Sequence, residues 1–320
     1  MKMEIIDVVK LIKSAKTIAL FSHINPDCDT LGSSLALLHF LEKAGKTVSV
    51  FCDGDLKFDL NDLYGAKKIN KDALKMHYDL TIAIDCMTKD RMGRFMPLFD
   101  KGKNKLCIDH HLQDKYYAPN NLVDPKAGAT AELIYLLMKA YDPSLIDVNI
   151  AELIYTALVT DTGNFGFSNT SKRTLTIASE LYDYGIDHAS ISFHHFREIP
   201  FDSFRLKARV LAKAQFFEDN KIAVLLFTKE DMEATGTTTA NTSNLVNEVA
   251  NVRGVLIGVS ITEVRPNSYK VSVRTHGEVN ANAIAATFGG GGHKNASGFT
   301  VNGFSGNILD DILKACKDNL

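Results

Sequence analysis

Short apolar runs alternate with longer amphipathic stretches through the first third of the chain. TIALFS, TVSVFC, LTIAID and KLCIDHH have the length and composition of buried strands. Between the first two lies TLGSSLALLHFLEKAG, whose apolar spacing predicts a helix starting near Thr30 and capped at its C-terminus by Gly45. Strands that alternate with helices predict βαβ units and a mostly parallel sheet.

From Ala129 onward the pattern becomes mainly helical. TAELIYLLMKAY has apolar residues at helical spacing, and Thr130 is the predicted N-cap. IAELIYTALVT is apolar almost throughout, so periodicity leaves open whether Asp161 follows a helix or a strand. SKRTLTIASELYDYG and IDHASISFHHF continue the helical series.

Near residue 200 the pattern changes again. FDSFRLKARVLAKAQ predicts a helix that joins two domains, and the strands KIAVLLFT, GVLIGVSITEV and SYKVSVRT follow it. VNANAIAATF then predicts one more helix. We therefore expect an α/β protein with a larger domain over 1–196, a helical linker over 197–221 and a smaller α/β domain over 222–320.

Composition fits this picture. The 320 residues suffice for two domains, and 45% hydrophobic with 23% charged residues is ordinary for a globular protein. A net charge of −2 argues against a large non-specific nucleic-acid surface. The N-terminal MKMEIIDVVKLIKSAK lacks the apolar core of a signal peptide, and no apolar run approaches the roughly 20 residues that span a bilayer. The expectation is a cytoplasmic protein with no membrane partner.

Four of the apolar runs lead into residues that commonly ligate metals. These are the segment His23–Asp29, then Asp85, then Asp109-His110-His111, and finally Asp161. Taken singly, each Asp would be an ordinary turn or cap residue. In an open α/β sheet, however, ligands bind outside the carboxyl ends of the strands, so these side chains are expected in one crevice. So many carboxylates can lie together only if cations neutralise them.

The ligand types also indicate which metal and which chemistry to expect. Carboxylate and imidazole ligands without thiolate suit manganese or magnesium better than structural zinc. Two such ions about 3.5–4 Å apart can activate a water and stabilise a departing oxygen at phosphorus. Cys28 and Cys86 adjoin predicted ligands and could be thiolate ligands, but small core residues are the favoured interpretation.

A second constellation lies near the C-terminus. Four consecutive glycines, the last being Gly291 and Gly292, precede His293 and expose backbone N–H groups to a phosphate or base, although such a run is also typical of a flexible turn. Arg274, on an alternating strand, suits bidentate phosphate binding or a surface ion pair. Arg173 either reaches the metal crevice or lies on the exposed face of its helix.

Five segments, in order, resemble the motifs of one family. HINPDCDTLGS, AIDC, IDHH and TDTGNF resemble the four motifs of the DHH phosphoesterase superfamily, and GGGGHKNASGF resembles the DHHA1 domain signature. The resemblance spans nearly the whole chain. Within the superfamily, the bifunctional oligoribonuclease and pAp phosphatase group is the most similar.

The resemblance implies two divalent cations, expected to be Mn²⁺ with Mg²⁺ as the alternative. One would be held by His23, Asp27 and Asp85. The second would be held by a set that shares Asp85 with the first and adds Asp29, His110 and Asp161.

The resemblance also implies roles outside the ligand set. His111 would contact the scissile phosphate or protonate the leaving oxygen, and Asp109 would orient its neighbours or act as a simple cap. In the second domain, Arg274, Gly291, Gly292 and His293 would bind the nucleotide, with Arg173 as a further candidate in the first domain.

The expected function is hydrolysis of short oligoribonucleotides to mononucleotides and removal of the 3′-phosphate of pAp. Three alternatives remain: a phosphodiesterase for cyclic dinucleotides or linear pApA, an inorganic pyrophosphatase or exopolyphosphatase, and a non-catalytic nucleotide-binding regulator. A long nucleic-acid partner is not expected, because the chain has no Trp and no extended basic groove pattern. A homodimer is compatible with the sequence.

Overall fold

The computed structural model describes residues 2–54, 56, 58–70, 77–112, 115–242, 244–303 and 307–320. The chain divides into two compact units, Met1–Glu198 and Ile199–Leu320. Both units combine helices with a sheet, so the predicted α/β class is confirmed. Among the described residues, no helix is both long enough and apolar enough to cross a bilayer.

The first unit is built on a five-stranded sheet in which every neighbouring pair is parallel. Its strands are β1 (Thr17–Phe21), β2 (Thr47–Phe51), β3 (Leu80–Ile84), β4 (Asn104–Asp109) and β5 (Asn120–Val123). Each residue of β3 is buried, as expected for a strand covered on both faces. The predicted parallel sheet is confirmed.

Helices pack on both faces of this sheet. The helices of the first unit are α1 (Ile5–Ser14), α2 (Cys28–Lys43), α3 (Phe58–Asn61), α4 (Met96–Asp100), α5 (Thr130–Tyr141), α6 (Val148–Asp161), α7 (Lys172–Tyr182) and α8 (His188–Phe196). Short 3₁₀ helices span Ala66–Lys68, Lys89–Phe95 and Pro143–Leu145. One face carries the large aliphatic core, which includes Leu35 and Ile154, and the other a smaller aromatic core around Phe21, Phe51 and Phe99.

Strand order locates the functional crevice of this unit. The order is β2-β1-β3-β4-β5, so the chain leaves β1 in one direction and continues from β3 in the other. Ligands of open α/β sheets bind at such a switch point, outside the carboxyl ends of the strands. The residues that follow β1 and β3 are Ser22-His23 and Asp85.

The ends of α2 follow from its capping residues. The helix begins at Cys28, earlier than predicted, because the Asp27 carboxylate accepts hydrogen bonds from the Asp29 and Thr30 amides, both at 3.1 Å. It ends as predicted at Gly45, which has a φ of +77°. The Lys46 amide donates to the Leu41 carbonyl at 3.0 Å, which completes a Schellman motif.

Two further helices differ from the predicted pattern. The N-cap of α5 is Ala129, so the prediction of Thr130 as the cap is wrong by one residue. Thr130 instead uses its amide and hydroxyl to bind carboxylates of the crevice. Helix α6 extends through Asp161, so the run IAELIYTALVT is helical, which was one of its two predicted alternatives. A cation near Asp161 would lie at the negative end of the α6 dipole, which is favourable.

The second unit contains a six-stranded sheet. Its strands are β6 (Gln215–Phe217), β7 (Ile222–Phe227), β8 (Ile257–Arg265), β9 (Ser268–Thr275), β10 (Gly291–His293) and β11 (Ala296–Asn302). Their order is β10-β11-β9-β8-β7-β6, and among these pairs only β7 and β8 are parallel. This mixed sheet matches the smaller α/β domain expected from the sequence.

The second unit also contains helices. They are α9 (Phe201–Leu211), α10 (Lys229–Thr235), α11 (Val246–Ala250), α12 (Ala281–Ala286) and α13 (Ile308–Lys317), with a 3₁₀ helix at Thr239–Thr242. Helix α9 lies in the segment predicted as a linker, and its Leu206 and Val210 are buried in the second unit's own core. The domain limits 1–196, 197–221 and 222–320 stay a prediction.

Candidate metal centre

One group of potential ligands forms where β1 and β3 end. The His23 Nε2 lies 3.6 Å from Asp27 Oδ2 and 3.4 Å from Asp85 Oδ2. The His23 Nδ1 donates to the Ile24 carbonyl at 2.8 Å, since a carbonyl can only accept. When Nε2 is deprotonated, this tautomer directs its lone pair toward the two carboxylates, the arrangement found at histidine metal ligands. The three side chains can hold one metal ion.

A second group forms around His110. Its Nε2 lies 3.8 Å from Asp29 Oδ2, 3.7 Å from Asp85 Oδ1 and 3.6 Å from Asp161 Oδ2. Its Nδ1 donates to the Ala127 carbonyl at 3.2 Å, so the same tautomer argument applies. Asp29, His110 and Asp161 can hold one metal ion.

Asp85 belongs to both groups. Its Oδ2 faces His23 and its Oδ1 faces His110, which is the arrangement required of a carboxylate that bridges two cations. Asp85 has a φ of +59°, a left-handed conformation that costs a non-glycine residue about 1–2 kcal/mol. Its amide donates to the Ile108 carbonyl at 2.9 Å, which holds this conformation in place. Strain of this kind is concentrated at functional sites.

The pKa shifts of the clustered side chains indicate whether the site would accommodate cations. Burial, and after it the charges of Asp85, Asp161 and Asp27, raises the pKa of Asp29 well above its usual range. Burial likewise raises the pKa of Asp161 to about 6. Burial opposes protonation of His23, but the Asp27 and Asp85 carboxylates raise its pKa to about 9. Protonation of Asp29, Asp161 and His23 is therefore favoured, because it reduces the negative charge of the cluster. Bound divalent cations would reduce that charge in the same way.

Asp109 and His111 form a pair beside the ligands. The Asp109 Oδ1 accepts from the His111 amide at 2.8 Å and from His111 Nδ1 at 2.9 Å. The hydrogen bond to Asp109, together with Asp85, raises the pKa of His111 to about 10. Asp109 is fully buried, whereas the His111 side chain is 42% exposed. The pair presents an oriented imidazole at the mouth of the cluster.

In the second unit, the predicted nucleotide-binding residues share one face of the sheet. Strand pairing aligns His293 with Ala296 on β11, and Ala296 with Arg274 on β9. Residues in one cross-strand row point to the same face, so Arg274 and His293 lie about 9–10 Å apart across a small alanine. Arg274 is half-buried, and its Nη1 donates to the Val273 carbonyl at 3.1 Å. Among the described residues it forms no ion pair.

The glycine run borders that row. Gly292 has a φ of +148°, and a Cβ there would lie 2.6 Å from the Ala296 carbonyl oxygen. Close strand pairing therefore requires glycine at this position. A Cβ on Gly291 would meet only Asn282 Oδ1, at 3.6 Å, so its backbone is open to a ligand.

Comparison with known proteins identifies the family of both units. The model of the DHH family N-terminal domain matches residues 17–158, and that of the DHHA1 domain matches residues 219–320. The bifunctional oligoribonuclease and PAP phosphatase NrnA of Thermus thermophilus is 30% identical over 317 residues, covering 98% of this chain and 93% of the relative. The chain belongs to the DHH family.

Two further relatives cover the DHH and DHHA1 regions together. The bifunctional oligoribonuclease and PAP phosphatase NrnA of Bacillus subtilis is 28% identical, covering 98% of this chain and 99% of its own length. The crystal structure of an exopolyphosphatase-related protein from Bacteroides fragilis is 29% identical, covers 98% of this chain and 95% of that one, and superposes with a TM-score of 0.87. As a DHH protein, the chain is a hydrolase acting on phosphoester bonds.

The N-terminus of α5 is a part of the DHH centre that the motifs did not reveal. The Thr130 and Ala131 amides donate to the two oxygens of Asp29, at 2.7 and 3.0 Å, and the Thr130 hydroxyl donates to Asp85 Oδ1 at 2.8 Å. Free helix amides stabilise carboxylates in this way. The only sequence signal was the small-residue turn before a helix. No local pattern indicates which carboxylates it meets.

Buried Glu132 holds that turn in place. Its Oε1 accepts from the Gly128 amide at 2.9 Å and from the Thr174 hydroxyl at 2.5 Å, and its Oε2 pairs with Arg173 Nε at 2.7 Å. Arg173 also pairs with Asp124 at 2.8 Å, so its guanidinium is engaged by two carboxylates. The predicted substrate-binding role of Arg173 stays untested. These contacts connect it to the helix that orients Asp29.

We expect Glu132→Gln to weaken Mn²⁺ binding selectively. The variant keeps an acceptor for Gly128 but leaves Arg173 without its buried counter-charge, so the Asp29 end of the centre loses its support. Loss of such a supporting contact typically lowers metal affinity about 10- to 100-fold. Calorimetric titration with Mn²⁺ should show weakening at one of two sites, with the site of His23 and Asp27 unchanged.

Glu180→Gln is the matched control. Glu180 also links α5 to α7, through Tyr135 at 2.9 Å and Lys139 at 2.7 Å, but it contacts none of the ligands among the described residues. It should leave both Mn²⁺ affinities intact. If Glu132→Gln lowers the melting temperature without changing Mn²⁺ affinity, Glu132 supports the fold alone.

Proposed function

We propose that this protein uses two divalent cations, preferably Mn²⁺, to hydrolyse short oligoribonucleotides to mononucleotides and to remove the 3′-phosphate of pAp. The observation that carries the proposal is the shared carboxylate: Asp85 directs one oxygen to each of two ligand groups. The similarity to two NrnA proteins, over nearly the full length of each, supports the same reaction.

When bound, the cations would supply an activated water and neutralise charge on the phosphate. The chain's own residues do the rest. Asp29 and Asp85 are fixed by the α5 amides and hydroxyl, so the ligands need no reorganisation on binding. His111 is held by Asp109, whose Oδ1 accepts from the His111 Nδ1 at 2.9 Å. We assign its Nε2 proton to the leaving oxygen of the ester.

The second unit is proposed to hold the nucleotide. The face that carries Arg274 and His293 is lined by the small residues Ser272, Ala296 and Gly298, all partly exposed. An arginine that has no carboxylate partner in the described part of the chain, beside open glycine backbone, suits a phosphate or a base. Pyrophosphate has no base to occupy such a face, which disfavours a pyrophosphatase.

Product analysis tests the proposal. The protein with Mn²⁺ should convert pAp to AMP and phosphate, and should shorten pApA and a five-nucleotide RNA to mononucleotides. Excess chelator should abolish each reaction. Turnover of pyrophosphate or polyphosphate without turnover of nucleotides would contradict the proposal, and so would hydrolysis confined to cyclic dinucleotides.

A further inference from the structure

Three large apolar side chains are exposed on the segments that follow the predicted ligands. Met87 comes two residues after Asp85 and is 43% exposed, Leu112 follows His111 and is 74% exposed, and Phe167 follows the Asp161 helix and is 61% exposed. Single exposed apolar residues are common on protein surfaces. These three lie on three segments that leave one polar cluster, each within six residues of a predicted ligand, and we refer to them as the apolar rim of the metal centre.

A tightly bonded turn holds the aromatic member of this rim. The Phe167 amide donates to the Thr162 carbonyl at 2.9 Å, and the Gly166 amide donates to the Gly163 carbonyl at 3.1 Å. The ring lies directly over Gly163, where a Cβ would be 2.5 Å from two ring carbons. Phe167 is therefore exposed to solvent yet fixed against the backbone that follows Asp161.

The same turn has an unfavourable backbone conformation. Gly163, Asn164 and Phe165 have consecutive φ values of +57°, +55° and +63°. A bulky residue such as Phe165 in the left-handed region costs about 1–2 kcal/mol. The Asn169 side chain holds the segment by donating to the Asp161 carbonyl at 3.1 Å and to the Gly128 carbonyl at 2.8 Å. A strained conformation retained beside a reactive centre is typical of a residue positioned for a ligand.

The chemistry of the rim indicates its ligand. An inorganic phosphate chain is charged along its whole length and gains nothing from apolar neighbours. A nucleobase has an apolar face, and its stacking on an aromatic side chain contributes about 1–3 kcal/mol. We propose that Phe167 binds the base of the nucleotide whose phosphate lies at the metal centre, with Leu112 and Met87 as further apolar contacts. This inference rests on the proposed function, which it deepens by adding a base-binding site in the first unit.

Binding measurements test the inference without requiring turnover. Calorimetric titration of the Mn²⁺-loaded protein with AMP and with ribose 5-phosphate compares two ligands that differ by the base alone. Both titrations use the Arg274→Ala, His293→Ala background, so that nucleotide binding to the second unit does not contribute. AMP should bind about 10- to 100-fold more tightly than ribose 5-phosphate, the range that stacking provides.

Variants of Phe167 then test whether its ring causes the difference in affinity between AMP and ribose 5-phosphate. Phe167→Ala should remove most of the preference for AMP and leave the affinity for ribose 5-phosphate unchanged. Phe167→Tyr retains the ring and should retain the preference. Phe216→Ala is the matched control, because it removes another exposed ring, 41% accessible, on β6. It should change neither affinity.

Two results would overturn the inference: equal binding of AMP and ribose 5-phosphate with Phe167 intact, or an equal weakening of both ligands by Phe167→Ala. The proposed function is judged separately, by turnover of pAp. A protein that binds AMP through Phe167 but does not hydrolyse pAp would contradict the proposed function and leave the base-binding site standing.

Discussion

Replacing Asp85 with Asn is expected to lower turnover of pAp and short RNA by at least about 100-fold, the scale seen when a catalytic electrostatic group is removed. Among the described residues, Asp85 alone faces both His23 and His110, so its charge would serve both proposed cation sites. Asn suits the test because it tolerates a positive φ, and its oxygen can still accept the Thr130 hydroxyl. Steady-state kinetics in saturating Mn²⁺ measures the loss.

Asp79→Asn is the matched control for this change. Asp79 precedes β3 at the opposite end of the same strand, where its Oδ2 accepts from the Lys16 and Thr17 amides at 2.9 and 3.1 Å. The same substitution there should cost some stability and leave kcat unchanged. Near-normal turnover of Asp85→Asn would exclude a bridging role. Circular dichroism should show both variants folded.

Arg274→Ala and His293→Ala are expected to weaken binding of pAp and oligonucleotides about 10- to 100-fold each. A hydrogen bond to a charged group contributes roughly 1.5–3 kcal/mol, and about 1.4 kcal/mol corresponds to a tenfold change in affinity. Arg274 has no carboxylate partner among the described residues, so its loss should cost little stability. The change should appear in KM, while Mn²⁺ affinity stays constant because neither residue belongs to the ligand groups.

A minimal ester separates binding from chemistry in these variants. Bis-p-nitrophenyl phosphate has no nucleotide to bind the second unit, so its hydrolysis should be nearly unaffected. Arg253→Ala removes the same charge from an exposed turn of the same unit and should change neither substrate. An equal loss on both substrates would mean that Arg274 and His293 act at the chemical centre, and no loss on either would mean that the glycine run is an ordinary turn.

The centre also illustrates how the fold stabilises a concentration of like charge. Three of the four predicted carboxylate ligands have a local neutral donor: the α2 amides bond to Asp27, the α5 amides to Asp29 and the Thr130 hydroxyl to Asp85. These donors reduce the cost of desolvation without adding a permanent positive charge that would compete with a cation. Cysteine takes no part in the described ligand groups. The Cys86 thiol bonds to the Ile84 and Phe21 carbonyls at 3.4 and 3.7 Å, as a core residue does.

The sequence by itself determined the α/β class, the parallel first sheet and the residues of the cluster. Strand and helix periods are local, so β1, β3 and β4 could be located from runs of a few residues. A rule about strand ends then placed His23, Asp85 and His110 together without any contact being known. Gly45 ended α2 as predicted because a left-handed cap is also a local requirement.

Only the tertiary structure decided which groups support these ligands. The run before Asp161 is apolar almost throughout, so its hydrophobic periodicity does not distinguish a helix from a strand. Packing decided that it forms helix α6. The hydrogen bond from Thr130 to Asp29 joins residues 101 positions apart in the sequence. The ion pair between Glu132 and Arg173 joins residues 41 positions apart. The row that aligns Arg274 with His293 exists only once β11 pairs with β9 and β10. Such contacts depend on how elements pack in three dimensions, and the hydrophobic periodicity of one segment does not indicate which other segment it will contact.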